Sequence, residues 1–143
     1  MKILLTGGAG YIGSHVLLSI LEKNYKVVVV DDLSTGNINL IPEGIKHIKC
    51  NINEKDKISN IIQSEKFDIL LHFAGFIKVE ESVQNPNKYF KNNTENAITF
   101  FETCYKNNLK NIIFSSTAAA YGNPSSNDPI KEEASLNPLN PYG

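Results

Sequence analysis

The sequence predicts an α/β fold: a doubly wound parallel sheet of strand order 3-2-1-4-5, with helices on both faces. Three observations carry that prediction. A glycine-rich run, Thr6-Gly7-Gly8-Ala9-Gly10-Tyr11-Ile12-Gly13, directly follows the short apolar segment Ile3-Leu4-Leu5. A second apolar run, Val27-Val28-Val29-Val30, lacks polar alternation, as a strand buried on both faces requires, and ends in Asp31-Asp32. Beyond it, short apolar runs alternate with segments of helical period, the pattern of βα units in a parallel sheet. Right-handed crossovers then favour the stated strand order.

The first strand ends where the glycines begin. Ile12, Val16, Leu17, Ile20 and Leu21 recur at helical spacing and mark one apolar face of the first helix. A glycine turn that closes a buried strand and opens a helix is how backbone approaches a dinucleotide pyrophosphate, so the fold is of Rossmann type. Gly7 allows the tight turn, Gly10 keeps a β-carbon away from the phosphates, and Gly13 lets the helix pack close to the strand. Tyr11 and Ile12 are expected to offer backbone N–H groups to the pyrophosphate, their side chains packing as at any helix start. Asp31 lies 18 positions beyond Gly13, close to the spacing at which an acid takes the adenosine ribose hydroxyls. A carboxylate there accepts from a 2′-OH and repels a 2′-phosphate, which favours NAD over NADP.

A polar loop over residues 33–42 leads to a third strand over 44–50. Ile58, Ile61 and Ile62 place a helix over 54–65, and residues 67–73 read as a fourth strand ending at Ala74-Gly75. Pro86 can open the next helix, with apolar residues recurring through Tyr89, Phe90, Ala97, Ile98, Phe101 and Cys104. Residues 110–115 make the fifth strand, and the Pro-, Asn- and Ser-rich tail 123–143 reads as surface loop. Ligands of such sheets bind outside the carboxyl ends of the strands, where loops 7–13, 31–36, 73–77 and 115–121 converge. Leu33, Ser34, Thr35 and Gly36 therefore join the candidate cofactor set, as do Phe73, Ala74, Gly75, Phe76 and Ile77.

Composition narrows the function classes. With 143 residues, 41% of them hydrophobic, the chain is one domain with a substantial core. A net charge of −1 gives no reason to expect nucleic acid or a membrane surface as partner. The 3 histidines and 2 cysteines lack metal-ligand spacing, so no metal is expected and the cysteines read as free intracellular thiols. The N-terminus lacks a signal-peptide profile and no apolar run could span a bilayer, so a cytoplasmic location is expected.

Five motifs stand in order: Thr6 to Gly13, Asp31-Asp-Leu-Ser-Thr-Gly36, His72-Phe-Ala-Gly75, Ser115-Ser-Thr-Ala-Ala-Ala-Tyr-Gly122 and Asn140-Pro-Tyr-Gly143. Across essentially the whole chain they resemble the extended short-chain dehydrogenase/reductase family. Glu80-Glu81-Ser82-Val83 and Ser115-Ser116-Thr117-Ala118-Ala119 narrow the resemblance to its branch that epimerises UDP-hexoses at C4, interconverting UDP-galactose and UDP-glucose.

The resemblance implies a tightly held NAD that takes a hydride from C4 of the sugar and returns it to the opposite face of the 4-keto intermediate. The tyrosine of the family's Tyr-x-x-x-Lys motif falls on Tyr142 and removes the 4-OH proton. The hydroxyl that bonds the 4-OH and relays its proton falls on Thr117. A phenol of ordinary pKa, about 10, is a poor base at neutral pH and needs positive charge nearby. The nicotinium ring and the motif's lysine would supply it, and that lysine falls past Gly143. The chain is accordingly expected to be the NAD-binding domain, 1–143, of a longer enzyme. The last strands and the UDP-sugar domain would be missing, apolar sheet surface exposed, and the isolated chain inactive. The complete enzyme is expected to be a homodimer.

The resemblance also assigns Asn51-Ile52 to the adenine. The family has an acid at the first position; the amide oxygen of Asn51 can accept the same bond from the adenine amino group. Asn92 matches a position near the cofactor, although a solvated helix asparagine explains it nearly as well. Ser115 ends the cofactor set, but hydrogen bonding to loop backbone also accounts for it. Lys78 and the histidines read as structural or surface residues. Rival readings are another NAD-dependent sugar-nucleotide epimerase, for UDP-N-acetylhexosamines or UDP-uronates, and a non-catalytic NAD-binding fragment. A 4,6-dehydratase fits less well, because Ala118-Ala119 stand where those enzymes carry an Asp-Glu pair.

Overall fold

The protein is described here by a computed structural model covering residues 1–124 and 128–143. It contains two compact units, Met1–Gly75 with Asn96–Ser115, and Phe76–Glu95 with Ser116–Gly143.

The first unit is built on a parallel sheet of β1 (Lys2–Thr6), β2 (Lys26–Asp31), β3 (His47–Lys49), β4 (Ile69–His72) and β5 (Ile112–Phe114). Its order is β3-β2-β1-β4-β5, as the alternation of apolar runs and helical segments predicts. Leu4 pairs with Val28 on one side and Leu70 on the other, and Leu70 with Ile112. Because side chains alternate along a strand, the two faces bury different sets. Leu4, Val30 and Leu70 pack toward Ile58, Ile61, Phe100 and Cys104 of α2 (Lys55–Glu65) and α5 (Asn96–Lys106). Ile3, Leu5 and Val29 pack toward Leu17 and Ile20 of α1 (Tyr11–Glu22). Full burial of each such side chain is worth about 1.5–3 kcal/mol. Burial also pushes the thiols of Cys50 and Cys104 up to about 11 and about 12.

Two details differ from the sequence expectation. The third strand is short, because Gly44, at φ +84°, still belongs to the turn that precedes it. The inward residues of α1 are Gly13, Ser14, Leu17 and Ile20, and Ile12 stands 57% exposed. In line with the exposed apolar sheet surface expected, an open apolar groove of about 440 Å³ on the α1 face is lined by Ile3, Ile12, Val16, Ile69, Leu71 and Ile113 among others.

The second unit holds α3 (Val79–Gln84), α4 (Pro86–Tyr89), a π-helical turn (Phe90–Glu95) and a 3-10 turn (Ala118–Tyr121). Pro86 opens α4 as expected, and Asn85 caps it by accepting the Lys88 N–H at 3.3 Å. The helix α3 and the π turn are not visible in the sequence periodicity. The tail expected as surface loop contains residues 125–127, which lie outside the described set; its described remainder folds back, the Asn137 N–H donating to the Ala120 carbonyl at 3.0 Å. Among the described residues, no helix is long and apolar enough to cross a membrane.

Candidate functional site

The glycine turn sits at the carboxyl end of β1. Gly7 has φ +74°, and a β-carbon there would stand 2.5 Å from the Phe73 carbonyl carbon and the Ala74 nitrogen. The turn therefore lies directly on the backbone leaving β4, which brings Phe73 and Ala74 to Gly7. A β-carbon on Gly13 would stand 2.1 Å from the Gly7 carbonyl oxygen. That close approach is to the turn itself, not to the strand as the sequence suggested. Gly10 caps α1 and brings no side-chain acceptor to its first turn. The N–H groups at Tyr11 and Ile12 thus open an end of the helix that carries partial positive charge, a seat for an anion. The side chains of Tyr11 and Ile12 do not pack as expected; they are 79% and 57% exposed. Ile12 faces the open groove on the α1 face, and the Tyr11 ring meets that of His15 edge-on at 5.1 Å.

Asp31 binds this turn to the loop after β2. Its Oδ2 accepts the Ala9 N–H and its Oδ1 the Leu33 N–H, each at 2.9 Å. The loop closes further where the Asn37 N–H donates to the Ala9 carbonyl at 2.9 Å and Gly36 abuts Asp31 Oδ1. Gly7, Gly10, Asp31, Leu33 and Gly36 are thus brought together, while Ser34 and Thr35 are exposed at the loop edge. Asp32 accepts the Ser34 N–H at 2.8 Å and an N–H of the Asn51 amide. Partial burial pushes its carboxyl up, but the bonds from Ser34 and Asn51 outweigh this and hold it below the ordinary aspartate range. The Asn51 amide oxygen accepts the Asn53 N–H at 3.1 Å, and Ile52 points into the core, 7% exposed.

At the end of β4 the Phe73 N–H donates to the Thr6 carbonyl at 3.0 Å, and the Ser115 N–H to the His72 carbonyl at 3.0 Å. His72 itself is buried beneath them. Its Nδ1 lies 2.7 Å from Thr6 Oγ1, the rings of Phe100, Phe101 and Phe114 surround it, and burial pushes its pKa down to about 4. This histidine is a neutral structural group.

In the second unit, Asn93 clamps Phe76. Its Oδ1 accepts the Phe76 N–H at 2.9 Å and its Nδ2 donates to the Phe76 carbonyl at 2.8 Å. Asn92, the residue singled out in the sequence, donates to Asn93 at 2.9 Å, and Ile77 is 71% exposed. Asn93 escapes sequence reasoning because a π turn moves the register by one position, a displacement with no signature in residue type. Thr117 is half-buried and accepts the Ala119 N–H at 3.1 Å, capping the 3-10 turn. The segment carrying Tyr142 lies on that turn: a β-carbon on Gly143 would stand 2.6 Å from the Ala119 carbonyl oxygen. The Tyr142 N–H donates to Ser82 Oγ at 3.3 Å, and its ring meets the buried Tyr89 ring edge-on, 6.5 Å between centroids. Ser82, quoted only within its motif, and Tyr89, read only as an apolar helix position, were not singled out as site residues, because their contacts with Tyr142 are long-range.

Residues 3–143 match the family described as the NAD dependent epimerase/dehydratase family. The UDP-glucose 4-epimerase of Azospirillum brasilense is 42% identical over 142 residues, which cover 99% of this chain and 40% of the relative. Among solved structures, the UDP-Glc/GlcNAc 4-epimerase of Campylobacter jejuni superposes with TM-score 0.93 at 41% identity, over 99% of this chain and 44% of the other. The UDP-glucose 4-epimerase of Thermus thermophilus, in complex with NAD, superposes with TM-score 0.94 at 29% identity, over 99% and 46%. The chain thus spans less than half the length of each of these proteins.

Proposed function

The chain belongs to the NAD dependent epimerase/dehydratase family, and on that premise we propose that residues 1–143 are the NAD-binding domain of a UDP-glucose 4-epimerase. The enzyme would be an isomerase of galactose metabolism, interconverting UDP-galactose and UDP-glucose. The observation that carries the cofactor assignment is the bond between Asp31 and the Ala9 N–H, which sets a buried carboxylate beside the uncapped start of α1. A pyrophosphate fits the helix start, and a ribose diol fits the carboxylate. β-Carbons at Gly7 and Gly13 would meet protein backbone, so the tight turn from β1 into α1 requires both glycines.

NAD bound there supplies the hydride acceptor and donor. The chain's own residues supply binding and proton movement. Asp31 accepts from the ribose, and Asp32 with Asn51 lines the adenosine end. Phe73, Ala74 and Gly75 keep the floor of the site flat, and Asn93 holds the Phe76 backbone. The Tyr142 phenolate takes the proton of the sugar 4-OH and becomes the phenol, and Thr117 Oγ1 bonds the same hydroxyl. The same reading takes the complete protein as a cytoplasmic homodimer.

The test uses the complete product of the gene. Nucleotide released on denaturation is identified, and conversion of UDP-galactose to UDP-glucose is followed for the wild type, Tyr142→Phe and Thr117→Ala. NAD release with turnover that falls by about 10²–10⁴-fold in Tyr142→Phe is expected for loss of a general base. NAD without turnover of either hexose, but with turnover of UDP-N-acetylglucosamine, moves the substrate and keeps the chemistry. Absence of any bound dinucleotide overturns the proposal.

A further inference from the structure

We propose that Ser82 is a positioning residue for Tyr142, its buried hydroxyl holding the tyrosine's backbone against a wall made by Tyr89. The proposal rests on the reading of Tyr142 as the residue that takes the substrate proton.

Ser82 lies in α3 and is fully buried. A serine inside a helix ordinarily satisfies itself by donating to a carbonyl one turn back, and Ser82 does so to Val79 at 2.6 Å. Its oxygen keeps lone pairs, and one of them accepts the Tyr142 N–H at 3.3 Å. That contact joins positions 60 residues apart.

The wall beside it is rigid. The Tyr89 ring is 1% exposed and stands 85° to the Tyr142 ring. The Tyr89 hydroxyl accepts the Lys78 N–H at 3.0 Å and donates to Glu81 Oε2 at 2.9 Å. The other Glu81 oxygen pairs with the Lys88 ammonium, which lies 4.7 Å above the Phe76 ring. Every polar member of this chain has a partner, so the Tyr89 ring is fixed in place and offers Tyr142 one edge. Backbone hydrogen bond and ring contact together define where the Tyr142 phenol begins. A misplacement of about 1 Å at a reacting group can cost about 10²-fold in rate, and one lost hydrogen bond loosens only part of this hold.

The experiment uses the complete protein and compares Ser82→Ala, Ser82→Cys, Tyr142→Phe and Ser64→Ala. Ser64, in α2 of the first unit, makes the same backward bond, to Ile61 at 3.1 Å, and serves as the control for a helix serine. The expected result is a kcat for UDP-galactose about tenfold lower in Ser82→Ala, with KM and bound NAD unchanged and Ser64→Ala like wild type. Ser82→Cys, nearly isosteric but a weak hydrogen-bond former, should show the same loss if Ser82→Ala does not fold. Wild-type kcat in both Ser82 variants, with Tyr142→Phe inactive, overturns the positioning role alone. Loss of NAD content in step with kcat in both variants assigns Ser82 a purely structural role and also overturns it. Wild-type turnover in Tyr142→Phe would instead remove the reading on which the proposal stands.

Discussion

Gly13 faces the carbonyl oxygen of Gly7 so closely that a β-carbon would stand 2.1 Å from it. The start of α1 is thereby docked on the turn that opens it, and the turn on the backbone after β4. Glycine at position 13 is a packing requirement of the loop as well as a family signature.

Gly13→Ala is therefore expected to destabilise the fold by about 1–3 kcal/mol, the range of overpacking in a site that cannot relax. The obstacle is backbone, which moves only with the whole turn. Urea unfolding followed by circular dichroism reads the loss, and the purified variant should hold no dinucleotide. A variant of wild-type stability that retains NAD would show that the turn is more plastic than its geometry implies.

Asp31→Asn leaves the size of the side chain but replaces one acceptor with a donor, which then faces the N–H of Ala9 or Leu33. Loss of a charge-assisted bond costs about 1.5–3 kcal/mol. NAD affinity should fall by about 10- to 100-fold, and the preference for NAD over NADP should narrow. Titration calorimetry with both nucleotides on the complete protein measures both effects. An unchanged NAD/NADP ratio would remove Asp31 from cofactor selection.

His72 gives stability a pH dependence of fixed sign. Burial lowers its pKa from 6.5 to about 4, so in that interval the unfolded chain binds a proton that the folded chain does not. Stability therefore rises with pH from about 4 to 6.5 and is flat in this group above it, the full difference being about 3 kcal/mol. The carboxylates of Asp32, Glu54, Glu65 and Glu81, all held low, add their acid sensitivity chiefly below pH 4.5. Denaturant unfolding at pH 5, 6 and 7 isolates the histidine, and His72→Gln should flatten the slope in that window.

Asn93→Ala removes both bonds that hold the Phe76 backbone and should cost about 1–3 kcal/mol, because an N–H and a carbonyl lose their partners together. Asn93→Asp keeps the acceptor for the Phe76 N–H but sets a carboxylate oxygen against the Phe76 carbonyl, so its cost should be at least as large. Thermal melts of the two variants check the order. Equal melting temperatures for wild type and Asn93→Ala would show that solvent satisfies Phe76 equally well.

The glycine turn and the acid after β2 were legible because they are local, and the order of the sheet because right-handed crossovers leave few alternatives. Val27 to Val30 is apolar without alternation because β2 is covered on both faces, and Ile58, Ile61 and Ile62 repeat at the helical period because one side of α2 is buried. The short length of β3 and the exposure of Ile12 were not legible: a run of apolar residues reports which positions can be buried, not which neighbour arrives to bury them.

By itself the sequence determined the α/β class and the residues that mark a dinucleotide turn, since these follow from side-chain period and backbone stereochemistry within single elements, and right-handed crossovers between those elements then restricted the strand order. Only the tertiary structure decided that Asp31 would tie itself to Ala9, that a π turn would aim Asn93 at Phe76, and that Ser82 would meet Tyr142. Those pairings join residues 17 to 60 positions apart. They are fixed by how whole elements pack, and no repeat within one element can encode them.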